Sequence, residues 1–504
     1  LPEGSRAIAG IGCSMLALGM DRGGRTFTQM GGEGANWIGH APFTEEKHVF
    51  VHMGDGTYFH SGLLALRAAI AAKVNATYKI LFNDAVAMTG GQTHDGEPSV
   101  PAVVAQVQAE GAREVVMISE TPEVWTSLTG GLRALPRDRL EAEERRLRAV
   151  EGVTVLIYDQ LCAAEKRRRR KRGLHPKPAE TVLIHPGVCE GCGDCSVQSN
   201  CIAIEPLETD LGTKRQINQS ACNADTSCLK GFCPSFVTVS GGTRRKALAP
   251  LPAEIDAPLP EPETGLGTGA FSILMTGVGG TGVVTVSAIL AQAAPLAGLA
   301  VQALDQTGLA QKNGAVMSHL RIARDPAALD APRIGAGEAD TLLGFDVVVA
   351  AAPKAIAAIA PGRTRCVIDS HFTPTAGFVR APTAPLFAAL PMASLRQRAG
   401  ADGIAEIDAS ALAERHFGDT IAANILLAGF AFQRGALPIP LAAIEAAIRL
   451  NGAGVEQNLR AFRLGRLAAV QPQICAEPAA AGTDLAALKA RHIAHLSAWQ
   501  TPRY

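Results

Sequence analysis

Seven of the chain's eleven cysteines lie between Cys189 and Cys233, and no other feature limits its folding so sharply. Cys189, Cys192 and Cys195 are spaced Cys-x-x-Cys-x-x-Cys, and Cys201, Cys222, Cys228 and Cys233 follow, the last directly before Pro234. Thiolates at i, i+3 and i+6 can wrap three irons of one cubane, and a remote cysteine before proline supplies the fourth ligand in ferredoxin-like segments. Cys189, Cys192, Cys195 and Cys233 fit that cross-over rule for a [4Fe-4S] cluster. Cys201, Cys222 and Cys228 are left for a second cluster. Being three, they require a non-cysteine ligand, fewer irons, or another partition of the seven. A zinc knuckle is the alternative, although this spacing is tighter than zinc sites use.

Eleven cysteines are too few for a disulfide scaffold in 504 residues, and their clustering suits metal ligation in a reducing compartment. With no signal peptide opening the chain, the expected location is the cytoplasm. The most apolar stretch, Val283 to Val301, carries Gln292, Pro295 and Gly298, so it reads as a buried helix and its connection and not as a membrane span. The chain is 47% hydrophobic and 19% charged, which is globular, and its formal charge of zero leaves no overall field to attract nucleic acid or a membrane.

Around the cysteines the periodicity is α/β. His48 to Met53 reads as a strand, Gly54-Asp55-Gly56 as a turn, Tyr58 to Ala72 as an amphipathic helix and Thr77 to Phe82 as the next strand. Such a βαβ unit implies a parallel sheet with its ligand site at the carboxyl ends of the strands. Glu114 to Ile118 and Val153 to Tyr158 extend that sheet. Residues 244 to 264 hold five prolines and read as a linker. Beyond it, a strand from Phe271 to Met275 leads through a glycine turn into a helix, with further strands expected at Val347 to Ala351 and Cys366 to Asp369. Ala-rich helices are expected over Ile421 to Ala431 and Leu441 to Leu450.

Asp55 and Asn83 end neighbouring strands of one βαβ unit, so a carboxylate and an amide oxygen converge on one crevice. Few, hard oxygen ligands leave room for a substrate diphosphate, which is how proteins hold Mg²⁺. Gly54 and Gly56 let the backbone approach phosphates closely. Alone, Gly-Asp-Gly is only a tight turn; Asn83, 28 residues on within Asn83-Asp84-Ala85-Val86-Ala87-Met88-Thr89-Gly90-Gly91-Gln92, makes it a candidate site.

This spacing resembles the thiamine diphosphate motif, and Met88-Thr89-Gly90-Gly91-Gln92 resembles the version in 2-oxoacid:ferredoxin oxidoreductases. The resemblance is strongest to the long, fused indolepyruvate type. It is carried further by Met30-Gly31-Gly32-Glu33-Gly34, Tyr158-Asp159-Gln160-Leu161-Cys162-Ala163-Ala164-Glu165-Lys166 and Cys189-Glu190-Gly191-Cys192-Gly193-Asp194-Cys195. It implies a parallel-sheet thiamine diphosphate-binding domain over 1–180, a small cysteine-rich, ferredoxin-like iron–sulfur segment over 181–240, a linker over 241–266 and a second α/β domain, γ-type and Rossmann-like, over 267–470. A truncated helical region over 471–504 completes the division. The implied Mg²⁺ ligands are Asp55, the Asn83 side chain and the Ala85 carbonyl. Cys13 and Cys162, otherwise bland core residues, would be half of the ligands of a cluster beside the thiamine. The implied reaction is oxidative decarboxylation of an aryl 2-oxoacid, with electrons leaving for ferredoxin and coenzyme A taking the acyl group. The same chemistry on another 2-oxoacid such as pyruvate, or a non-catalytic electron-transfer and assembly module, are the rival readings. The pyrimidine-side thiamine domain would have to come from elsewhere, so the chain reads as a fragment inactive on its own. Leu1, which is no initiator methionine, and an ending inside the helical pattern Leu485 to Trp499 point the same way. The active assembly is expected to be a homo-oligomer.

Two features remain. Gly277-Val278-Gly279-Gly280-Thr281-Gly282 after a strand would offer backbone amides to an anion, with Gly277, Gly279 and Gly280 as the contact points. No acidic residue other than Asp305 follows at dinucleotide spacing. The resemblance instead attaches this domain to coenzyme A, with Gln306 to His319, including Lys312 and Asn313, as a surface facing the thiamine domain. Lys166 to Arg172 is an unbroken basic run, read either as a solvated loop or as a docking patch for an acidic ferredoxin.

Overall fold

The computed structural model describes residues 1–12, 14–15, 18, 23–84, 96, 99–199, 201, 203–209, 211–241, 248–263, 265–279, 281–306, 314–372, 389–476 and 485–499. Cys13, Ala85, Gly280, Lys312 and Asn313 lie outside them, as does the run Met88 to Gln92.

The first sheet has seven strands: β1 (Ala7–Ala9), β2 (Gly24–Phe27), β3 (Val49–Gly54), β4 (Ala76–Phe82), β5 (Glu114–Ser119), β6 (Arg133–Pro136) and β7 (Val153–Asp159). Their order is β2-β1-β3-β4-β7-β5-β6 and every pairing is parallel. The central strands are apolar along their length because both faces are covered. On one face Val51, Met53, Tyr78, Ile80 and Val155 pack against Leu66 and Val104 from the helices Leu63–Ala71 and Val100–Ala109. On the other, Leu156, Val116 and Ile118 meet Leu147, and Lys79 pairs with the buried carboxylate of Glu144. The expected βαβ unit is present. Its helix begins at Asp55, immediately at the strand end, and passes through a π turn, Tyr58–Gly62.

The cysteine segment is framed by two antiparallel pairs, β8 (Glu180–Ile184) with β11 (Phe236–Ser240), and β9 (Ile204–Leu207) with β10 (Lys214–Ile217). Ile184, Cys189, Cys195 and Ile204 form its small core.

The second large sheet comprises β12 (Phe271–Val278), β13 (Ala300–Gln306), β14 (Ala315–Ala323), β15 (Thr341–Gly344), β16 (Arg365–Asp369) and β17 (Ile404–Ile407), in the order β13-β14-β12-β15-β16-β17. β14 runs antiparallel to both neighbours, and β12, β15, β16 and β17 are parallel. Behind it the helices Ala423–Gln433 and Val455–Val470 cross at two glycines. A Cβ on Gly429 would lie 1.9 Å from the Phe462 carbonyl oxygen, and one on Gly465 would lie 1.8 Å from that of Leu426. Only residues without a side chain allow that approach.

Two expectations are corrected, and a third segment is seen in detail. Val347 to Ala351 is not a strand: β15 ends at Gly344, and Asp346 caps a short helix, Val347–Ala350, its carboxylate accepting from the Val349 amide at 2.9 Å. A short buried apolar run does not distinguish the two states, and the cap decides. The proline-rich segment read as a linker lies against the second domain. Leu251 and Ile255 pack on the second core, Asp256 pairs with Arg463 at 2.8 Å, and Gln433 donates to the Pro260 carbonyl at 2.6 Å. The basic run is not a solvated loop; it forms the half-buried helix Ala163–Lys171. Among the described residues no helix is long and apolar enough to cross a membrane.

Candidate functional site

At the carboxyl ends of β3 and β4, the Asp55 carboxylate organises the crevice. Its Oδ1 accepts from the Gly56 amide at 2.8 Å, and its Oδ2 accepts from the amides of Asn83 at 2.8 Å and Asp84 at 2.9 Å. Asp55 is 3% exposed, so a buried anion is held by three backbone donors. These bonds fix the turn after β4, where Asp84 takes a left-handed φ of 54°. The Asn83 side-chain oxygen is buried and accepts no hydrogen bond. An orphaned hard oxygen beside a carboxylate is costly unless something outside the chain satisfies it. Gly54 has an ordinary φ of −79°, and a Cβ built on it meets nothing within 4 Å. Neither strain nor packing therefore calls for glycine there, and the space it leaves is open. The donor set and the orphaned oxygen fit a Mg²⁺–diphosphate group.

Glu33 lies on the helix side of the same strands, fully buried. Its Oε2 accepts from the Gly31 amide at 2.8 Å, its Oε1 has no partner, and burial raises its carboxyl above the usual range. Periodicity gave no signal for a buried glutamate here, because it sits in a loop.

The basic helix joins this crevice to the cysteines. Its N-cap, Cys162, donates its amide to the Asn83 carbonyl at 3.1 Å. Arg169 donates to the Asp84 carboxylate at 3.2 Å, while Arg167 and Arg170 donate to the carbonyls of Ala221 and Asn223, each at 2.6 Å. Those carbonyls flank Cys222. Burial lowers the Arg167 pKa, against the pull of Asp419, and the thiols of Cys222 and Cys162 also lie within its field. The sequence showed the charge but not that half of it faces inward.

The seven clustered cysteines fall into groups. Cys195 feels the charges of Cys189 and Cys192, whereas Cys228 feels those of Cys201 and Cys222. Burial first, and then these like charges, push the Cys228 thiol up to about 11; burial also raises Cys195 and Cys201. Cys201, Cys222 and Cys228 line a cavity of about 440 Å³ with Arg167 and Arg170. Cys233 sits elsewhere: its sulfur lies 2.9 Å from the Ser235 hydroxyl, the Ser235 carbonyl accepts from His185, and the His185 carbonyl accepts from Cys189. Among the described residues no three His, Cys, Asp or Glu side chains converge on a single ion. A cluster asks for something different, since each of its ligands holds a different iron.

The glycine turn of the second sheet is used differently from the expectation. Gly277 and Val278 belong to β12, and a Cβ on Gly277 would lie 2.7 Å from a Val283 methyl, so this glycine serves helix–strand packing. The Gly279 amide donates to the Gly314 carbonyl at 2.7 Å and is not available to an anion. His319 is not a surface residue but is 4% exposed within β14, its Nδ1 accepting from the Ile334 amide.

Residues 272–468 match the family described as pyruvate ferredoxin/flavodoxin oxidoreductase, and residues 10–120 match the C-terminal TPP-binding domain of thiamine pyrophosphate enzymes. The indolepyruvate oxidoreductase subunit IorB of Archaeoglobus fulgidus is 29% identical over 201 residues, covering 39% of this chain and 93% of its own length. Subunit IorA of Pyrococcus horikoshii is 29% identical over 164 residues, 32% of this chain but 23% of its own length. The pyruvate oxidoreductase subunit PORC from Thermotoga maritima, a solved structure, is 23% identical over 40% of this chain and 96% of its own, with a TM-score of 0.29. One chain thus carries segments similar to two separate subunits, nearly all of one and a minor part of the other. These two domains and these relatives support membership of the 2-oxoacid:ferredoxin oxidoreductase family.

Proposed function

We propose that the chain is part of an enzyme that oxidatively decarboxylates an aryl 2-oxoacid of the indolepyruvate kind to its acyl-coenzyme A, passing the electrons through iron–sulfur clusters to ferredoxin. The observation that carries the thiamine part of the reading is the pair Asp55 and Asn83, with the Asn83 oxygen buried and unsatisfied at the strand ends. In this reading Asp55 and Asn83, with the Ala85 carbonyl, hold Mg²⁺ on the diphosphate, and Gly54 and Gly56 admit the phosphates. Bound thiamine diphosphate supplies the carbanion-stabilising chemistry. The chain's own part is to fix the diphosphate end and to keep water from the Asp55 carboxylate. The basic helix positions the turn after Asn83 and the Cys222 loop together, which favours a short electron path between them. Relatives named for indolepyruvate support the aryl substrate, and the family description that names pyruvate keeps pyruvate as the second reading.

Calorimetric titration of the chain with thiamine diphosphate should give binding only when Mg²⁺ is present, and Asp55→Ala should abolish it. Binding that ignores Mg²⁺ would remove the metal assignment. Ferredoxin reduction by the full-length protein should be fastest with indolepyruvate or phenylpyruvate; a preference for pyruvate would select the second reading.

A further inference from the structure

The three cysteines of the second group leave one corner of a four-iron cluster unassigned. We propose that the carboxylate of Asp225 fills it, so that Cys201, Cys222, Asp225 and Cys228 hold one [4Fe-4S] cluster while Cys189, Cys192, Cys195 and Cys233 hold the other. This rests on the iron–sulfur reading above and assigns its missing ligand.

The first support is spacing. Cys222-Asn223-Ala224-Asp225-Thr226-Ser227-Cys228 repeats the register of Cys189-Glu190-Gly191-Cys192-Gly193-Asp194-Cys195, with Asp225 in the place of Cys192. Each run is completed by a cysteine from the far side, Cys201 for the second and Cys233 for the first, as the cross-over rule of two-cluster segments requires.

The second support is backbone conformation. The residues on either side of Cys192 are left-handed, Gly191 at φ 75° and Gly193 at 80°. The residues on either side of Asp225 are left-handed as well, Ala224 at 53° and Thr226 at 56°. Glycine adopts this conformation freely, but alanine and threonine do so only under strain, and such strain persists where surroundings impose it. The sulfur contacts repeat too. The Gly191 amide donates to the Cys189 sulfur at 3.4 Å, and the Ala224 amide donates to the Cys222 sulfur at 3.3 Å. The two loops are one local structure, built twice.

The third support is placement. Asp225 lines the same 440 Å³ cavity as Cys201, Cys222 and Cys228. Its two hydrogen bonds, from the Ser227 amide and hydroxyl, both fall on Oδ1, which orients the carboxylate and leaves Oδ2 for a metal. Asp225 is exposed, so the iron it would hold is the one most open to solvent.

The test is anaerobic reconstitution of the whole chain, followed by iron and acid-labile sulfide analysis, Mössbauer and electron paramagnetic resonance spectra. The wild-type chain should hold about eight irons in two clusters. One iron should carry an oxygen-ligand signature and be lost first on mild oxidation with a chelator, leaving a three-iron signal. Asp225→Cys should keep the iron count, erase the oxygen signature and protect that iron. Asp225→Ala should hold about seven irons and give the three-iron signal from the start. Identical spectra and iron release in all three proteins, or about four irons in the wild type, would overturn the assignment of Asp225. Absence of acid-labile sulfide from all three would instead overturn the iron–sulfur reading beneath it.

Discussion

Asp55 and Asn83 share a crevice but differ in what the protein itself asks of them. Asp55 bonds three backbone amides, so its removal leaves buried donors unpaired as well as removing the proposed Mg²⁺ ligand. The Asn83 side-chain oxygen accepts no hydrogen bond among the described residues. Asn83→Ala should therefore lower Mg²⁺–thiamine diphosphate affinity by about tenfold or more, while thermal stability changes by no more than about 1 kcal/mol. Asp55→Ala should lower both, and differential scanning calorimetry beside binding titrations would separate the two. A similar stability loss in both variants would mean that the Asn83 oxygen is structural after all. The pair was legible in the sequence because motif spacing along two strands is covalently fixed. The buried Glu33 was not, since no periodicity marks a loop residue that tertiary packing covers.

At the scale of elements, the helix Ala163–Lys171 departs furthest from its sequence reading. Seven adjacent cations suggested solvent, yet a helix distributes them around its axis, and Arg167 and Arg170 turn toward the Cys222 loop. Arg168, by contrast, pairs with Glu165 of its own helix and is 39% exposed. Replacing both Arg167 and Arg170 by Ala should loosen the loop and speed the bleaching of the proposed cluster's absorbance in air, by about thirtyfold if each lost bond costs the ~1 kcal/mol typical of its kind. Arg168→Glu should leave that rate unchanged and, in the complete enzyme, raise the KM for ferredoxin in a salt-dependent way. Equal bleaching in all variants would leave the helix without a role at the cysteines. The strand expected at Val347 to Ala351 failed for a related reason: apolar character gives burial, but the Asp346 cap and the end of β15 decide conformation.

Across the whole molecule, two strand pairs, β3–β4 of the first sheet and β16–β17 of the second, should respond to pH in opposite senses. In the first, burial, reinforced by Arg148 and Lys79 respectively, lowers His48 to about 4 and His52 to about 3. Below the ordinary value of 6.5 the unfolded chain takes up protons that the folded one refuses, so stability falls as pH drops from 6.5 toward 3. At the end of β16, the Asp408 carboxylate, 3.8 Å from the ring Nδ1, raises His371 to about 9, so its contribution is complete below 6.5 and is lost as pH rises through 9. Hydrogen exchange should accelerate at β3 and β4 in acid, and around β16 and β17 in alkali; His52→Leu should flatten the acid limb alone. Both regions destabilising together at either extreme would contradict this division.

The sequence alone determined the alternation of strands and helices, the pairing of Asp55 with Asn83, and the ferredoxin-like spacing of Cys189, Cys192, Cys195 and Cys233. Each of these is a regularity along the chain, set by covalent distance and side-chain period. Tertiary structure decided the rest: which arginines face inward, which glycines serve packing, and which cysteines share a cavity. Those outcomes depend on contacts between segments distant in sequence. The seven cysteines gave the chain's strongest signal, but only the matched left-handed turns around Cys192 and Asp225 showed their two loops to be equivalent.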